Sequence, residues 1–175
     1  MSFHIRAATG ADSQAAAEVV KSVFDEYGFT WDEADYCADL YDLDQYYLSH
    51  GHRFWVAEVE GQIVGVVGLC GHPKIHGSPG TLTAEIKPRI AGTNCSLERL
   101  YVNPNFRKLG IGSRLTEMVI ATAKEMNFEA MEIWSDKRFG DAHRLYGRFG
   151  AILVGDRICD DPDQSPEWGL WIRLK

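Results

Sequence analysis

Two glycines and a basic residue lie between an apolar strand and an amphipathic helix in the middle of this 175-residue chain. They are Arg107, Gly110 and Gly112, and from Ile111 onward apolar residues recur at helical spacing. The first turn of a helix has backbone N–H groups without intrahelical acceptors, and the helix dipole adds partial positive charge there. Because glycine has no Cβ, an anion can lie directly against such a backbone. The segment predicts a phosphate site, most simply for a pyrophosphate; glycines that only form a tight turn are the structural alternative.

A carboxylate lies just before this loop, on the strand that leads into it. Glu98 precedes Leu100 by two positions, so the two side chains share a face if the strand is regular. A glutamate there can take a proton from an attacking group and act as a general base. A surface glutamate that pairs with Arg99 or another neighbour fits the sequence equally well.

A second segment, Asp141 to Ala151, follows a strand predicted from Ala130 to Ser135. Its pattern is Ala142-x-x-x-Tyr146-x-x-Phe149-Gly150. Together with the Leu100-Tyr101-Val102-x-Pro104 strand and the Arg107/Gly110/Gly112 loop, it resembles the GNAT superfamily of acyl-CoA-dependent N-acyltransferases. The resemblance is specific from about Cys95 to Gly155 and weak elsewhere.

The resemblance implies acetyl-CoA as the co-substrate and assigns a set of residues to it. The pantetheine arm would pair with the backbone of a splayed strand, and the backbone amides after the strand would hold the pyrophosphate. The implied cofactor-binding residues are Leu100, Tyr101, Val102, Arg107, Lys108, Leu109, Gly110, Ile111, Gly112, Ser113 and Asp141. The family often has an asparagine where this chain has Phe139, so its contact to the pantetheine is either lost or moved. Asp141 is included as the residue to which that contact would move.

The resemblance also implies two catalytic residues. Tyr146 matches the tyrosine that commonly protonates the leaving thiolate; a packed helix aromatic with a satisfied hydroxyl is the structural alternative. Glu98 is the candidate general base, although many relatives have their acidic residue two positions earlier, where this chain has Ser96. No cysteine lies in an activated triad, so direct attack of an amine in a ternary complex is expected rather than an acyl-enzyme.

An acidic and aromatic stretch, Trp31 to Tyr47, falls where this family builds its acceptor site. Its carboxylates and rings would attract and hold a cationic primary amine of a small molecule; a solvated helix face is the plain alternative. Two other functions stay open, a lysine or N-terminal acetyltransferase acting on peptides and a CoA-binding sensor without turnover.

The predicted architecture is a single α+β domain over residues 1–175. The resemblance and the hydrophobic pattern both give the order β-α-α-β-β-β-α-β-α-β-β, a mixed, mostly antiparallel sheet flanked by helices. The first helix is predicted from Asp12 or Ser13 to Tyr27, and a second from Trp31 to His50. Residues 72–94 form a connection punctuated by glycine and proline, with room for short strands around Thr81 to Ile86.

Composition narrows the function classes further. A net charge of −7 disfavours nucleic-acid binding and mildly favours cationic partners. Neither a signal peptide nor a membrane span is predicted, which indicates a cytoplasmic protein, with a homodimer left open. The four cysteines are scattered, so free thiols are expected, and the spacing of Cys70, His72 and His76 predicts no metal site.

Overall fold

The computed structural model describes residues 2–175, which fold into two compact units. Met1–Leu69 and Glu98–Met118 form the first unit, and Cys70–Leu97 and Val119–Lys175 form the second. The prediction of one domain over the whole chain stays a prediction.

The first unit contains a meander of antiparallel strands and one long helix. Its complete elements are β1 (His4–Ala7), α1 (Ser13–Tyr27), the short α2 (Leu43–Tyr46) and β2 (Arg53–Val59). It also contains most of β3 (Gln62–Gly71), the end of β4 (Cys95–Val102) and the start of α3 (Ile111–Glu125). The strand β2 pairs with β1 on one side and with β3 on the other. Phe54, Leu40 and Leu115 are among its fully buried side chains.

The long helix α1 has the bounds that the sequence predicts. It begins at Ser13, after Asp12, and ends before Gly28, which has a φ of 71°. Five of its apolar residues recur at helical spacing and are buried: Ala16, Val19, Val20, Val23 and Phe24. The amphipathic pattern is therefore confirmed as the face that packs into the core of the first unit.

The second helix predicted from Trp31 to His50 is wrong. Instead the chain forms a turn, a 3₁₀ turn at Ala38–Tyr41, the four-residue α2 and another 3₁₀ turn at Leu48–His50. Asp32 accepts from the backbone N–H groups of Asp35 and Tyr36, at 3.2 and 3.3 Å. Asp42 likewise accepts from the backbone N–H of Gln45 at 2.9 Å. Aspartates that bind nearby backbone groups favour turns over a continuous helix.

The second unit is built on the pairing of three further strands. Its remaining elements are β5 (Ala130–Asp136), α4 (Gly140–Arg148), β6 (Ile152–Ile158) and β7 (Pro166–Arg173). The strand β7 lies between β5 and β6 and is antiparallel to both, whereas β4 is parallel to β5 at Cys95–Met131 and Ser96–Glu132. In residues 72–94 one isolated bridge joins Leu82 to Ile90 where short strands were expected.

The predicted fold class is confirmed by these pairings. The strands and helices follow the predicted order, with α2 and its flanking turns in place of the second helix. Antiparallel pairs dominate, and the parallel β4–β5 pair makes the pairing mixed. An α+β architecture with helices interspersed among mostly antiparallel strands is what the sequence predicts.

Candidate functional site

A kink in β4 is the first feature of the candidate site. Arg99 has a φ of 51°, in the left-handed region that non-glycine residues seldom occupy. A regular extended strand cannot run through such a residue, so the expected alternation between Glu98 and Leu100 is broken at Arg99. After the kink the strand is fixed to β3, because the backbone N–H of Asn103 donates to the carbonyl of Val64 at 2.8 Å.

Glu98, the predicted general base, lies immediately before the kink. It is half-buried, and its Cβ would be 3.4 Å from a Cβ built at Gly68 of β3. The ring of Tyr47 would be 3.1 Å from the same point, so Glu98 and Tyr47 both pack over Gly68. The glutamate is therefore held in a packed part of the first unit and does not project freely from the strand.

The predicted phosphate loop turns directly after β4. The side chain of Asn103 accepts from the backbone N–H of Asn105 at 3.0 Å, which begins a 3₁₀ turn at Pro104–Phe106. Lys108 and Gly110 then have φ values of 63° and 85°. A Cβ placed on Gly110 would have no heavy atom of the protein within 4 Å, so the space beside this residue is open.

The helix α3 begins at the end of this loop. Near its start the backbone N–H of Arg114 donates to the carbonyl of Gly110 at 3.0 Å. By helix geometry the N–H groups of Ile111, Gly112 and Ser113 have no intrahelical acceptor. N–H groups without intrahelical acceptors and the positive end of the helix dipole favour a bound phosphate group, so phosphate binding at this loop stays a prediction.

Arg107 fixes the start of the loop to α1. Its guanidinium donates to both carboxylate oxygens of Glu26, at 2.9 and 2.6 Å, and both side chains are about one-third exposed. A bidentate pair of this kind holds a planar guanidinium in one orientation. The side chain of Arg107 is thus engaged with Glu26, and this pair links the start of the loop to α1.

The other two predicted site residues, Tyr146 and Asp141, lie on α4 of the second unit. Tyr146 is 4% exposed, and its carbonyl accepts from the N–H groups of Phe149 and Ala151 where the helix ends. Asp141 is almost fully exposed in the first turn, where it forms an ion pair with Arg144. Burial of Tyr146 fits both a catalytic acid that is shielded from water and a packed aromatic.

The helix α4 is anchored to β5 one turn before Tyr146. A ring nitrogen of His143 lies 3.0 Å from the hydroxyl of Ser135 on β5. Burial lowers the pKa of His143, so the imidazole is neutral at pH 7 and accepts or donates within the unit without carrying charge. This contact links α4 to β5 within the second unit, three residues before Tyr146.

The aspartates of the acidic stretch are mostly occupied in local structure. Asp32 and Asp42 bind backbone N–H groups, and Asp39 forms an ion pair with Arg99. Asp35 stays exposed on the surface of the first unit. The stretch as a whole is therefore not a uniform carboxylate surface for an acceptor.

A buried carboxylate in the second unit was not identified from the sequence. Glu132 of β5 is 1% exposed and accepts from Arg89 Nε at 2.5 Å, from the N–H of Ile90 at 3.0 Å and from Trp134 Nε1 at 3.1 Å. These bonds attach the long connection 72–94 to β5. The sequence signal was a lone glutamate within an otherwise apolar strand.

Residues 2–175 contain neither a candidate membrane-spanning helix nor a side-chain cluster suited to a metal ion. None of the helices there is both long and apolar enough to span a bilayer. No three His, Cys, Asp or Glu side chains in this range are grouped closely enough to hold a metal ion. The four cysteines are free thiols, and three of them are buried.

A family model and related sequences agree on the family to which this chain belongs. The sequence model of the "Acetyltransferase (GNAT) family" matches residues 19–151. The uncharacterized N-acetyltransferase YjgM of Escherichia coli is 31% identical over 148 residues, which are 83% of this chain and 80% of YjgM. The zebrafish (Danio rerio) N-acetylaspartate synthetase is 29% identical over 119 residues, 67% of this chain but only 36% of the synthetase.

A solved structure agrees with the fold. The putative acetyltransferase yncA of Salmonella typhimurium, determined with its cofactor acetyl-CoA, superposes with a TM-score of 0.70 at 16% identity. The match covers 100% of this chain and 95% of yncA. At 16% identity the superposition shows that the two chains share a fold.

Proposed function

Because this chain belongs to the GNAT acetyltransferase family and is an acyltransferase, we propose that it transfers the acetyl group of acetyl-CoA to the primary amine of a small molecule. The amine attacks the thioester directly while both substrates are bound. The observation that carries the proposal is the sequence of kinked strand, open left-handed glycine and helix start from Glu98 to Ser113. It joins a candidate base to a phosphate cradle within one short segment.

The cofactor contacts follow from the backbone of that segment. The amides from Lys108 to Ser113 bind the pyrophosphate, and the space beside Gly110 admits it. The backbone of Leu100, Tyr101 and Val102, after the kink, pairs with the pantetheine arm. The structure of yncA with acetyl-CoA supports this choice of acyl donor, since it has the same fold.

Glu98 acts as the general base in this proposal. An alkyl amine with a pKa near 10.4 is mostly protonated at pH 7, and removing that proton costs about 4.6 kcal/mol before attack can begin. A carboxylate beside the acceptor takes this proton directly or through one water molecule. Half-burial over Gly68 gives Glu98 a fixed position for this role.

Tyr146 is the general acid that protonates the departing thiolate. A thiol pKa near 8.5 and a tyrosine pKa near 10 lie close enough for a positioned hydroxyl to transfer its proton as the C–S bond breaks. Its burial on an anchored helix supports the assignment, because a shielded donor keeps its proton for the leaving group.

The name of one relative supports a small molecule over a peptide as the acceptor. N-acetylaspartate synthetase is named for a small amino-acid product, and 67% of this chain aligns with it. The net charge of −7 favours a cationic amine instead, through long-range attraction. The relative suggests an amino acid as the acceptor, whereas the net charge suggests a cationic amine. The amine screen described next distinguishes these two acceptors.

The test is a thiol-release assay with acetyl-CoA across polyamines, aminoglycosides, amino acids including aspartate, and short peptides. We expect release with at least one small amine, and little release from a Glu98→Gln control. Attraction by the protein's net charge predicts that capture of a cationic amine weakens with salt, since exposed charges are screened over about 8 Å at physiological ionic strength. Release with peptides alone would make the chain a peptide acetyltransferase. Tight acetyl-CoA binding without release on any amine would make it a sensor.

A further inference from the structure

Asp39 and the carbonyl of Tyr36 hold the Arg99 side chain, and Tyr47 in turn binds Asp39. We call this set the Arg99 clamp (Arg99, Asp39, Tyr47 and the carbonyl of Tyr36). Arg99 donates to the two oxygens of Asp39 at 3.1 and 2.8 Å and to the Tyr36 carbonyl at 2.6 Å. Its guanidinium also lies 4.9 Å from the centre of the Tyr36 ring. The hydroxyl of Tyr47 donates to Asp39 at 2.6 Å and completes the set.

The Arg99 clamp is a buried charged network with its protons fixed. The side chains of Arg99 and Asp39 are 12% and 18% exposed. Burial by itself would lower the pKa of Arg99, but the Asp39 carboxylate offsets this, so that the pKa is raised well above its usual range. Burial, together with the charge of Asp39, raises the pKa of Tyr47, so its hydroxyl keeps its proton and stays a donor.

The clamp acts on the residue whose backbone is strained. A left-handed conformation is unfavourable for arginine, because its Cβ crowds the following carbonyl. Such a conformation persists only where surrounding contacts hold it. Asp39 and Tyr36 contact the Arg99 side chain directly, and Tyr47 holds Asp39 through its hydroxyl. Tyr47 also packs over Gly68 beside Glu98, so one member of the clamp borders the candidate base.

We infer that Arg99 is a positioning residue for the acyl transfer. The clamp holds the left-handed kink at Arg99, and the kink sets the direction of Glu98 before it and of the Leu100–Val102 backbone after it. The inference rests on the proposed function for the roles of these neighbours. It adds that their geometry depends on an ion pair formed with Asp39, a residue of the acidic stretch 60 positions earlier in the chain.

Two substitutions at one position separate this role from simple stabilisation. Arg99→Ala and Arg99→Gly remove the same guanidinium contacts, but only glycine accepts a positive φ without a penalty. If the clamp serves to hold the kink, the alanine variant relaxes toward an extended strand and the glycine variant keeps the kink. We expect Arg99→Gly to retain a kcat about tenfold or more above that of Arg99→Ala, the scale set by the left-handed penalty.

Acetyl-CoA affinity, measured by calorimetry, supplies a readout that does not need turnover. Because the Leu100–Val102 backbone follows the kink, Arg99→Ala should bind acetyl-CoA more weakly than Arg99→Gly. Thermal unfolding identifies a temperature at which both variants are folded, and all measurements are made there. Equal kcat and equal affinity in the two folded variants would overturn the inference, because contacts that merely stabilise are lost equally in both.

Asp39 provides the matched second test. Asp39→Asn in the wild-type background weakens the clamp and should lower kcat, whereas in the Arg99→Gly background it should have no further effect. An equal loss in both backgrounds would overturn the inference, since Asp39 would then act on the amine or elsewhere. Failure of the proposed function is distinct: wild-type protein would release no thiol, while the affinity comparison between Arg99→Ala and Arg99→Gly would still report on the kink.

Discussion

Replacing Gly110 with alanine separates the role of this backbone in phosphate binding from its role in folding. Gly110 has a φ of 85°, and no protein atom lies within 4 Å of the position that a Cβ would take. The substitution therefore causes no steric clash in the free protein. Its cost to folding is the left-handed penalty alone, about 1–2 kcal/mol.

The cost to cofactor binding arises from a different interaction. The new methyl group occupies the open space beside the N–H groups that begin α3, where the pyrophosphate is proposed to lie. Losing one hydrogen bond to a charged group costs about 1.5–3 kcal/mol, which weakens CoA binding about tenfold to a hundredfold. Calorimetric titration with CoA measures this directly. S-acetylpantetheine lacks the pyrophosphate, so its affinity should be nearly the same for both proteins.

Gly51 is the control for backbone strain. It has a φ of 75°, its Cβ position is equally open, and it lies in a different turn of the first unit, before β2. Gly51→Ala should lose similar folding stability and keep wild-type CoA affinity. If folded Gly110→Ala binds CoA as tightly as wild type, the pyrophosphate does not lie against this loop and the reasoning is refuted.

Two further predictions address the acid and the pH dependence of folding. Tyr146→Phe should lower kcat about a hundredfold or more with little change in acetyl-CoA affinity, and a wild-type kcat would remove Tyr146 from the chemistry or show that chemistry does not limit the rate. Hydrogen bonds from Arg6, more than any other contact, lower the pKa of Asp12 from 3.8 to about 2, and the side chain is only 11% exposed. Since the folded pKa is the lower one, this stabilisation of about 2 kcal/mol is present above about pH 4 and is lost as pH falls toward 2. Urea unfolding of Asp12→Asn should show this deficit at pH 7 and a smaller one near pH 2, whereas exposed Asp25→Asn should change stability by less than about 1 kcal/mol; equal deficits at both pH values would contradict the assignment.

The elements that depend on local pattern were predictable from the sequence. The helix at Ser13–Tyr27 has its predicted bounds, because apolar spacing and end signals specify it. The turn before α3 was also predictable from its glycines, and Gly110 has the left-handed backbone that such a turn uses. Phosphate binding at this loop stays a prediction, since a glycine beside a helix start also serves a tight turn.

The second helix was mispredicted because aspartate side chains in this stretch bind the backbone N–H groups that a helix would use. Asp32 and Asp42 take up backbone N–H groups that a continuous helix would need to bond internally. The spacing of apolar residues in this stretch favours a helix but contains no information about these hydrogen bonds from side chains to the backbone. The stretch therefore divides into short turns, and each aspartate has its own partner.

The kink at Arg99 could not be predicted from local sequence at all. Arginine has no preference for a left-handed backbone, and nothing within β4 compensates for the strain. The compensation comes from Asp39 and the Tyr36 carbonyl, more than 55 positions away in the chain. A charge that looks like part of an acceptor surface in the sequence is thus, in the folded protein, a tether for the strand that carries Glu98.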